Sequence, residues 1–146
     1  MEHKQLLTVF NSLPVGIGFF TADGTRVRCN ESFCRVFGAD SQTLLGNKLN
    51  INENSVVPDV VKEAVRRCVP VQMSFLYDFD KQRTDKRFFS TRTRTCYLKC
   101  NGNPLYDNDG KFVNYIFIFE DITETVKSEE VLRQSRRKTE LAMKAA

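Results

Sequence analysis

Five cysteines and one histidine carry the most reactive side chains of this 146-residue chain. Thiols and imidazoles serve proteins as nucleophiles, general bases and zinc ligands. The cysteines are odd in number, form no Cys-x-x-Cys pair and stand mostly among apolar neighbours, so we expect reduced, buried thiols. They are Cys29, Cys34, Cys68, Cys96 and Cys100. The one histidine, His3, stands near the terminus, which disfavours a zinc site and a Cys-His or Ser-His pair.

Other enzymatic patterns are missing from the sequence. It contains neither a P-loop nor a Gly-x-Gly-x-x-Gly motif. An aspartate base in an apolar cleft is the remaining alternative, but the aspartates that would serve it fall in predicted turns or at strand ends. They are Asp23, Asp78, Asp80 and Asp107. We therefore predict no catalytic residue, no metal site and no enzymatic activity for this chain.

A pattern typical of a helix start follows the apolar run Tyr115 to Phe119. Asp121 can cap a helix by accepting a backbone N–H bond, and Glu124, three residues on, can reach back to complete a capping box. The tail after Glu124 contains neither Pro nor Gly. We expect a strand joined rigidly to an exposed helix, a mechanical coupling suited to transmitting a state.

The composition fits one globular domain with a helical extension. Hydrophobic residues make up 41% of the chain and charged residues 27%, with a net charge of +4. Basic residues cluster between Arg83 and Lys99 and between Arg133 and Lys138, which we interpret as solvated faces, so no nucleic-acid partner is predicted. No apolar run approaches 18 residues. We expect a cytoplasmic protein without direct membrane contact, and a tail that continues in a longer protein.

The first half of the sequence predicts a helix, a hairpin and two short helices. Apolar spacing favours a helix over residues 2–12. The dipeptide Asp23-Gly24 joins predicted strands 15–21 and 25–29. Asn30 can cap a helix over 31–37, and Asp40 a second helix over 41–45.

The second half predicts one longer helix and three strands. The helix covers residues 56–69 and ends at Pro70. Strands are predicted over 71–79, 88–105 and 112–120, and residues 81–87 form a polar connection. The resulting order, β-β, helices, β-β-β, indicates an α+β fold with one antiparallel sheet.

Five motifs in this order resemble the PAS domain, over roughly residues 5–124. They correspond to that family's entry into the first strand, first hairpin turn, Asn-x-x-Phe…Gly helix, turn between the last two strands, and Asp-Ile-Thr exit. Here they read Leu13-Pro-Val-Gly-Ile17, Thr21-Ala-Asp-Gly24, Asn30-Glu-Ser-Phe33 with Phe37-Gly38, Asn103-Pro-Leu-Tyr-Asp-Asn-Asp-Gly110 and Asp121-Ile-Thr123.

The resemblance implies a PAS fold: a five-stranded antiparallel sheet with short helices on one face, flanked by N- and C-terminal helices. It divides the chain into an N-terminal helix (1–13), a PAS domain (14–124) and a helical signalling linker (125–146). It further implies a sensory or relay domain of a bacterial two-component sensor histidine kinase. A ligand-free dimerisation or spacer module, or the sensor of a cyclic-dinucleotide enzyme, are the alternatives.

The cofactor-binding residues of the PAS family are missing at the matching positions of this sequence. Its haem-binding members use an axial His in the long helix, and residues 56–69 contain none. Its flavin photosensors use Asn-Cys-Arg-Phe, whereas this sequence has Ser32-Phe-Cys34-Arg35. We therefore expect neither haem nor flavin, and an unidentified small molecule stays open as a ligand.

The PAS resemblance also points to a ligand pocket and to a coupling site. Asn30 either caps its helix or binds a ligand in the cleft, and the apolar residues either line a pocket or fill the core. The pocket residues are Asn30, Phe33, Phe37, Val61, Val65, Phe75, Leu98 and Phe117. The residues expected to couple the domain to its output are Asp121, Thr123 and Glu124.

The apolar residues of the two terminal helices indicate how the protein associates. In the tail, a weak coiled-coil seam recurs at steps of three and four residues: Leu132, Ser135, Thr139, Ala142 and Ala146. Leu6, Leu7 and Phe10 make the N-terminal helix apolar on one side. We expect a homodimer through these helices, and further PAS or kinase domains of the same chain as neighbours.

Overall fold

The computed structural model describes residues 2–46, 49–84 and 90–145. Six α-helices, one 3-10 helix and five strands lie within these ranges. The helices are α1 (His3–Ser12), α2 (Glu31–Phe37), α3 (Ser41–Leu45), a 3-10 turn (Ile51–Glu53), α4 (Asp59–Arg67), α5 (Phe79–Thr84) and α6 (Thr123–Ala145). The strands are β1 (Gly16–Phe20), β2 (Arg26–Cys29), β3 (Val71–Asp78), β4 (Thr95–Tyr106) and β5 (Phe112–Asp121).

The strands form one antiparallel sheet in the order β2-β1-β5-β4-β3. The first and last strands of the sequence, β1 and β5, therefore lie side by side at its centre. Alternate residues of β1, β4 and β5 are buried on one face, as expected for a sheet covered on that side by helices. The predicted α+β fold with a five-stranded antiparallel sheet is confirmed.

Helix α2 lies unusually close to β1, because two glycines replace side chains at the contact. A Cβ atom on Gly16 would lie 2.9 Å from the Phe33 Cα atom, and one on Gly18 would lie 2.8 Å from the Phe33 ring. Both distances are too short for real Cβ atoms. The Gly-x-Gly spacing of β1 thus lets the α2 backbone rest directly on the sheet.

Aromatic rings fill the space between α2 and the sheet. The Phe33 and Phe37 rings lie 4.6 Å apart, and the Phe37 ring meets Phe119 edge-on at 5.3 Å. The Phe37 ring also packs on Tyr77 at 5.4 Å. Such tilted and edge-on pairs stabilise a core beyond the area they bury.

The buried Asn30 side chain holds the N-terminal elements together. Its Oδ1 accepts hydrogen bonds from the backbone N–H groups of Ile17 and Phe33, both at 2.9 Å. Its Nδ2 donates to the carbonyl oxygens of Phe10 at 2.9 Å and Val15 at 3.0 Å. The predicted cap of α2 is confirmed, and the same amide also ties α2 to α1 and β1.

Two predicted elements are shorter in the structure. The helix predicted over 56–69 covers only Asp59–Arg67, because Pro58 is extended at its start and Cys68 ends it in a left-handed conformation. The strand predicted over 88–105 begins at Thr95, directly after Arg94, which has a φ of 63°. The first two residues of that prediction, 88 and 89, lie outside the described residues.

Helix α5 occupies the start of the predicted polar connection 81–87. The Asp78 carboxylate accepts the backbone N–H groups of Asp80 and Lys81, both at 3.0 Å, which caps the first turn. Phe79 is fully buried and anchors that turn to the core. Residues 85–87 lie outside the described residues. Among the helices that the structure describes, none is long and apolar enough to cross a membrane.

We predict that Asn30→Ala destabilises the domain by more than the loss of a helix cap. An exposed cap contributes about 0.5–2 kcal/mol, whereas each buried polar group left without its partner adds about 1–3 kcal/mol. We expect a total loss of at least about 3 kcal/mol in the free energy of unfolding, measured by urea denaturation. Asp40→Ala is the matched control, because its exposed carboxylate caps α3 through Thr43 alone, with a bond to Thr43 N at 2.7 Å. Equal losses for the two variants would contradict the prediction.

Candidate functional site: an interior cavity and the exit of the sheet

A small cavity of about 20 Å³ lies between the sheet and the helices, in the cleft where the ligand pocket was predicted. Such a volume accommodates about one water molecule. Mostly aromatic and aliphatic side chains surround it. The lining residues are Phe20, Arg26, Phe33, Phe37, Ile51, Asn54, Val57, Phe75, Tyr77 and Phe119.

Arg26 brings a positive charge to this cavity. Its side chain is buried, its Nη1 donates to the Leu44 carbonyl at 3.1 Å, and its guanidinium lies 5.2 Å from the centre of the Phe33 ring and 5.8 Å from that of Phe20. Burial lowers the pKa of Arg26, because desolvation disfavours the charged form. Cation–π contacts with the two rings offset part of that cost.

Asn54 and Tyr77 form a second polar group at the cavity. The Asn54 Nδ2 donates to the Tyr77 hydroxyl at 3.0 Å, and the Asn54 Oδ1 accepts from Val56 N at 3.0 Å. Both side chains are buried. An apolar cavity with a few convergent polar groups is typical of a ligand site.

The structure brings together three of the eight predicted pocket residues, since Phe33, Phe37 and Phe75 line the cavity. Asn30 instead makes the four backbone bonds described above. The remaining four are buried in the core without lining the cavity: Val61, Val65, Leu98 and Phe117.

The sequence reading missed Arg26, Asn54 and Tyr77. In Arg26-Val27-Arg28, alternation predicts that Val27 faces the core. A register shift of the β1–β2 pair instead sets Arg26 opposite the buried Phe20 and leaves Val27 exposed. The alternation of strand 71–79 does place Tyr77 on the buried face with Phe75, so that signal was present in the sequence.

In this structure the cavity has the volume of about one water molecule, which is smaller than a flavin ring or a haem. The Cys34 Sγ lies 4.0 Å from the Cys29 Sγ, away from the cavity lining. Burial raises the pKa of both thiols, that of Cys29 to about 12, so neither is a reactive thiolate at neutral pH. Among the described residues, no group of three His, Cys, Asp or Glu side chains could hold a metal ion.

A second constellation lies where β5 leads into α6. The Asp121 Oδ1 accepts hydrogen bonds from Thr123 N at 3.0 Å and from Thr123 Oγ1 at 2.5 Å. Tyr97 on β4 donates its N–H to Thr123 Oγ1 at 3.0 Å and accepts from Ile122 N at 2.9 Å. The first helical residue of α6 is thus bonded to the two neighbouring strands. We call this group, Asp121, Ile122 and Thr123 with Tyr97, the exit junction.

Arg92 connects the exit junction to α2. One guanidinium nitrogen donates to the Val36 carbonyl at 2.8 Å and the other pairs with the Asp121 Oδ2 at 3.0 Å. Its guanidinium carbon also lies 4.8 Å from the centre of the Phe79 ring. Sequence reasoning missed Arg92, because its partners are distant in sequence and its own segment is irregular.

The charge state of Asp121 suits this role. Partial burial acts to raise the pKa of its carboxyl, but hydrogen bonds from Thr123 and the Arg92 contact outweigh it, so that the pKa is lowered. Helix α6 begins at Thr123, so its N-cap position is Ile122, and Asp121 is the last residue of β5. The Asp121 carboxylate accepts from Thr123 N from the position before the N-cap, not from the N-cap position that was predicted. Within the described part of the chain, no hydrogen bond from the Glu124 side chain completes the predicted capping box.

Solved structures with the same fold include sensor domains of several kinds. An RNA-binding Light-Oxygen-Voltage receptor matches with a TM-score of 0.67 and 19% identity over 92% of this chain, which spans only 37% of that receptor. The PAS domain of Bordetella pertussis BvgS matches with a TM-score of 0.54 and 16% identity, covering 92% of this chain and 96% of that domain. A PAS domain from a two-component sensor histidine kinase gives 0.54 and 13%, covering 81% and 94%. At these identities the likeness concerns the fold.

The family itself is established by the sequence. No curated protein matches the chain. The profile of the PAS fold, however, matches residues 10–127, which include the cavity, Asn30 and the exit junction. The chain belongs to the PAS family, whose domains are sensory modules that are not themselves catalytic.

Proposed function

We propose that this chain is the sensory or relay domain of a cytoplasmic two-component sensor histidine kinase, in which it passes the state of its cleft to a C-terminal output through α6. The observation that carries the proposal is the exit junction, where the first residues of a long helix are hydrogen-bonded to two strands of the sheet. The likeness to a PAS domain from a sensor histidine kinase supports the output class.

Helix α2 supplies a route from the cleft to the junction. Phe37 lines the cavity, and its carbonyl accepts a 2.7 Å bond from the Ser90 hydroxyl. The Ser90 hydroxyl in turn accepts from Arg92 N at 3.1 Å. A shift of Phe37 on ligand binding would therefore move the segment from which Arg92 reaches Asp121.

In the proposed function, the protein acts as a homodimer that forms through its terminal helices. Helix α1 exposes Leu6, Leu7 and Val9, and α6 has no buried residue among those described. Exposed apolar side chains on marginal helices are stabilised by a partner. The predicted seam has Leu132 half exposed; its last residue, 146, lies outside the described residues.

A ligand-free dimerisation or spacer module is the second candidate function. The observation that favours it is the nearly filled interior, in which aromatic rings occupy most of the cleft. In that case the same exit junction would fix the orientation of α6 without responding to a small molecule.

We predict that Arg92→Gln loosens the exit junction. The Arg92 and Asp121 side chains are 31% and 30% exposed, and such ion pairs contribute about 0–1 kcal/mol. Hydrogen–deuterium exchange at the Ile122 amide should therefore accelerate about two- to five-fold. Asp121→Ala should accelerate it further, and the two changes should be non-additive because the residues are in contact.

Arg83→Gln is the matched control for this prediction. The Arg83 side chain donates to the carbonyls of Ser90 and Arg92, at 3.0 and 2.8 Å, but does not reach Asp121. We expect it to leave exchange at Ile122 unchanged. An equal acceleration in Arg83→Gln would mean that the segment, and not the Arg92–Asp121 pair, holds the junction.

In the full-length protein, output should depend on the rotational phase of α6. Each inserted residue turns an α-helix by about 100°, so inserting two or three residues after Gln134 should alter or invert kinase output. A seven-residue insertion should largely restore it, since seven residues complete nearly two turns. Asp121→Ala should uncouple output from input while the domain stays folded by circular dichroism. Output that ignores insertion length would show that α6 is a flexible tether.

Dimer formation should require the terminal helices. We expect light scattering to give a dimer for residues 1–146 and a monomer for residues 14–124. Circular dichroism checks that the shorter chain folds, because the truncation removes the Phe10 carbonyl that Asn30 binds. Replacing Leu6 and Leu7 by Ser should weaken the dimer without changing the free energy of unfolding of the core, because both are exposed in the single chain. A monomeric full chain at high concentration would contradict the homodimer.

A further inference from the structure

Two half-buried cysteines are in contact where β2 leads into α2. The Cys29 Sγ, at the end of β2, lies 4.0 Å from the Cys34 Sγ, near the start of α2. Neither thiol lines the interior cavity. We propose that this pair is a site of reversible oxidation, at which a small hydroperoxide converts the two thiols into a disulfide.

The contact sets this pair apart from the other cysteines. Cys96 and Cys100 are buried on the same face of β4, and their spacing of four residues separates them by about 13 Å, too far for a disulfide. Cys68, half-buried at the end of α4, makes no sulfur–sulfur contact in the part of the chain that the structure describes.

The geometry allows the bond to form with a small local movement. A disulfide joins sulfur atoms about 2.05 Å apart, so the two sulfurs must approach by about 2 Å. Rotation of the two side chains about their Cα–Cβ bonds supplies much of this movement. Both residues keep part of their surface exposed, so a small oxidant can reach them.

The reaction balances with hydrogen peroxide as the oxidant. One thiolate attacks a peroxide oxygen, which forms an S–O bond and breaks the O–O bond; the hydroxide that leaves takes up the thiol proton as water. The second thiolate attacks the sulfur of this sulfenic acid, forms the S–S bond and displaces the oxygen as a second water. Each sulfur is oxidised by one electron, and the peroxide is reduced by two.

The dithiol is the form expected without oxidant. Burial raises the pKa of Cys29 to about 12 and also raises that of Cys34, although the Arg26 guanidinium acts to lower both pKa values. Few thiolates are therefore present at neutral pH, and the pair reacts slowly with peroxide. A thiol of high pKa is also a poor leaving group, so the disulfide, once formed, is reduced slowly.

The disulfide would act on the first turn of α2. Asn30 lies inside the closed ring, and its Oδ1 accepts from Phe33 N at 2.9 Å. Drawing Cys34 towards Cys29 displaces that turn against this bond. In the proposed sensor the change would pass along α2 to the exit junction, and this part of the inference rests on the proposed function. Oxidation itself requires only the isolated chain, so the two proposals can fail separately.

The test exposes residues 1–146, first reduced and then freed of reductant, to hydrogen peroxide. Free thiols are blocked with N-ethylmaleimide before digestion with trypsin, which cuts after Arg28 and Arg35 and leaves both cysteines in the peptide 29–35. By mass spectrometry we expect this peptide to be unblocked and two hydrogens lighter than its dithiol form. After dithiothreitol it should take up two maleimides.

Cysteine variants identify the bond. Cys29→Ser and Cys34→Ser should each abolish the disulfide, and the remaining thiol should take up oxygen instead. Cys68→Ser is the matched control, because Cys68 is also half-buried but stands apart from the pair, and it should form the disulfide as the wild type does. Circular dichroism checks folding, and alanine replaces serine in any variant that does not fold.

Hydrogen–deuterium exchange at the Phe33 amide measures the effect on α2. We expect oxidation to accelerate it at least three-fold in the wild type and to leave it unchanged in Cys34→Ser. A wild-type peptide 29–35 that takes up oxygen, or that joins another chain, would overturn the oxidation site. An internal disulfide with unchanged exchange at Phe33 would establish the site and overturn its action on α2. The same disulfide with an output that ignores insertions after Gln134 would remove only the sensory role.

Discussion

The buried amide of Asn30 is the constraint on which the arrangement of this domain depends. Four backbone groups from α1, β1, the residues between them and α2 converge on one side chain. A buried amide is tolerated only when its donors and acceptors are satisfied together, so these elements hold one another in place. The close approach of α2 that Gly16 and Gly18 allow follows from the same constraint, because the amide fixes where α2 begins.

Helix α2 is therefore fixed at its start and connected to the exit junction at its end. Asn30 sets the first turn, while the last turn presents the carbonyls of Val36 and Phe37 to Arg92 and Ser90. Phe33 and Phe37 lie between these two polar contacts and line the cavity. In the proposed relay, a change in the cavity would have little freedom at the Asn30 end and would therefore be transmitted towards Arg92 and the exit junction.

The elements that the sequence predicted well are those whose boundaries are marked locally. Helices α2 and α3 begin after Asn30 and Asp40 as predicted, because a cap acts within a few residues. Helix α5 was missed, since its cap comes from a strand residue and its anchor, Phe79, from tertiary packing. The site was predicted less completely than the fold. The aromatic walls follow from strand alternation, whereas the inward position of Arg26 results from a register shift that no local pattern records.

Beyond its first turn, helix α6 is stabilised little by contacts with the rest of the domain. Among its described residues none is buried, and its side-chain contacts are with its own neighbours, as in the pair of Arg133 with Glu130. Such pairs contribute only a few tenths of a kcal/mol each. The direction and rotational phase of α6 are therefore determined where Thr123 bonds to Asp121 and Tyr97. In the proposed homodimer, the rest of the helix would be stabilised by a partner helix. A helix that is fixed at one end and open along its length can change partners at small energetic cost, which is the property that a signal relay needs.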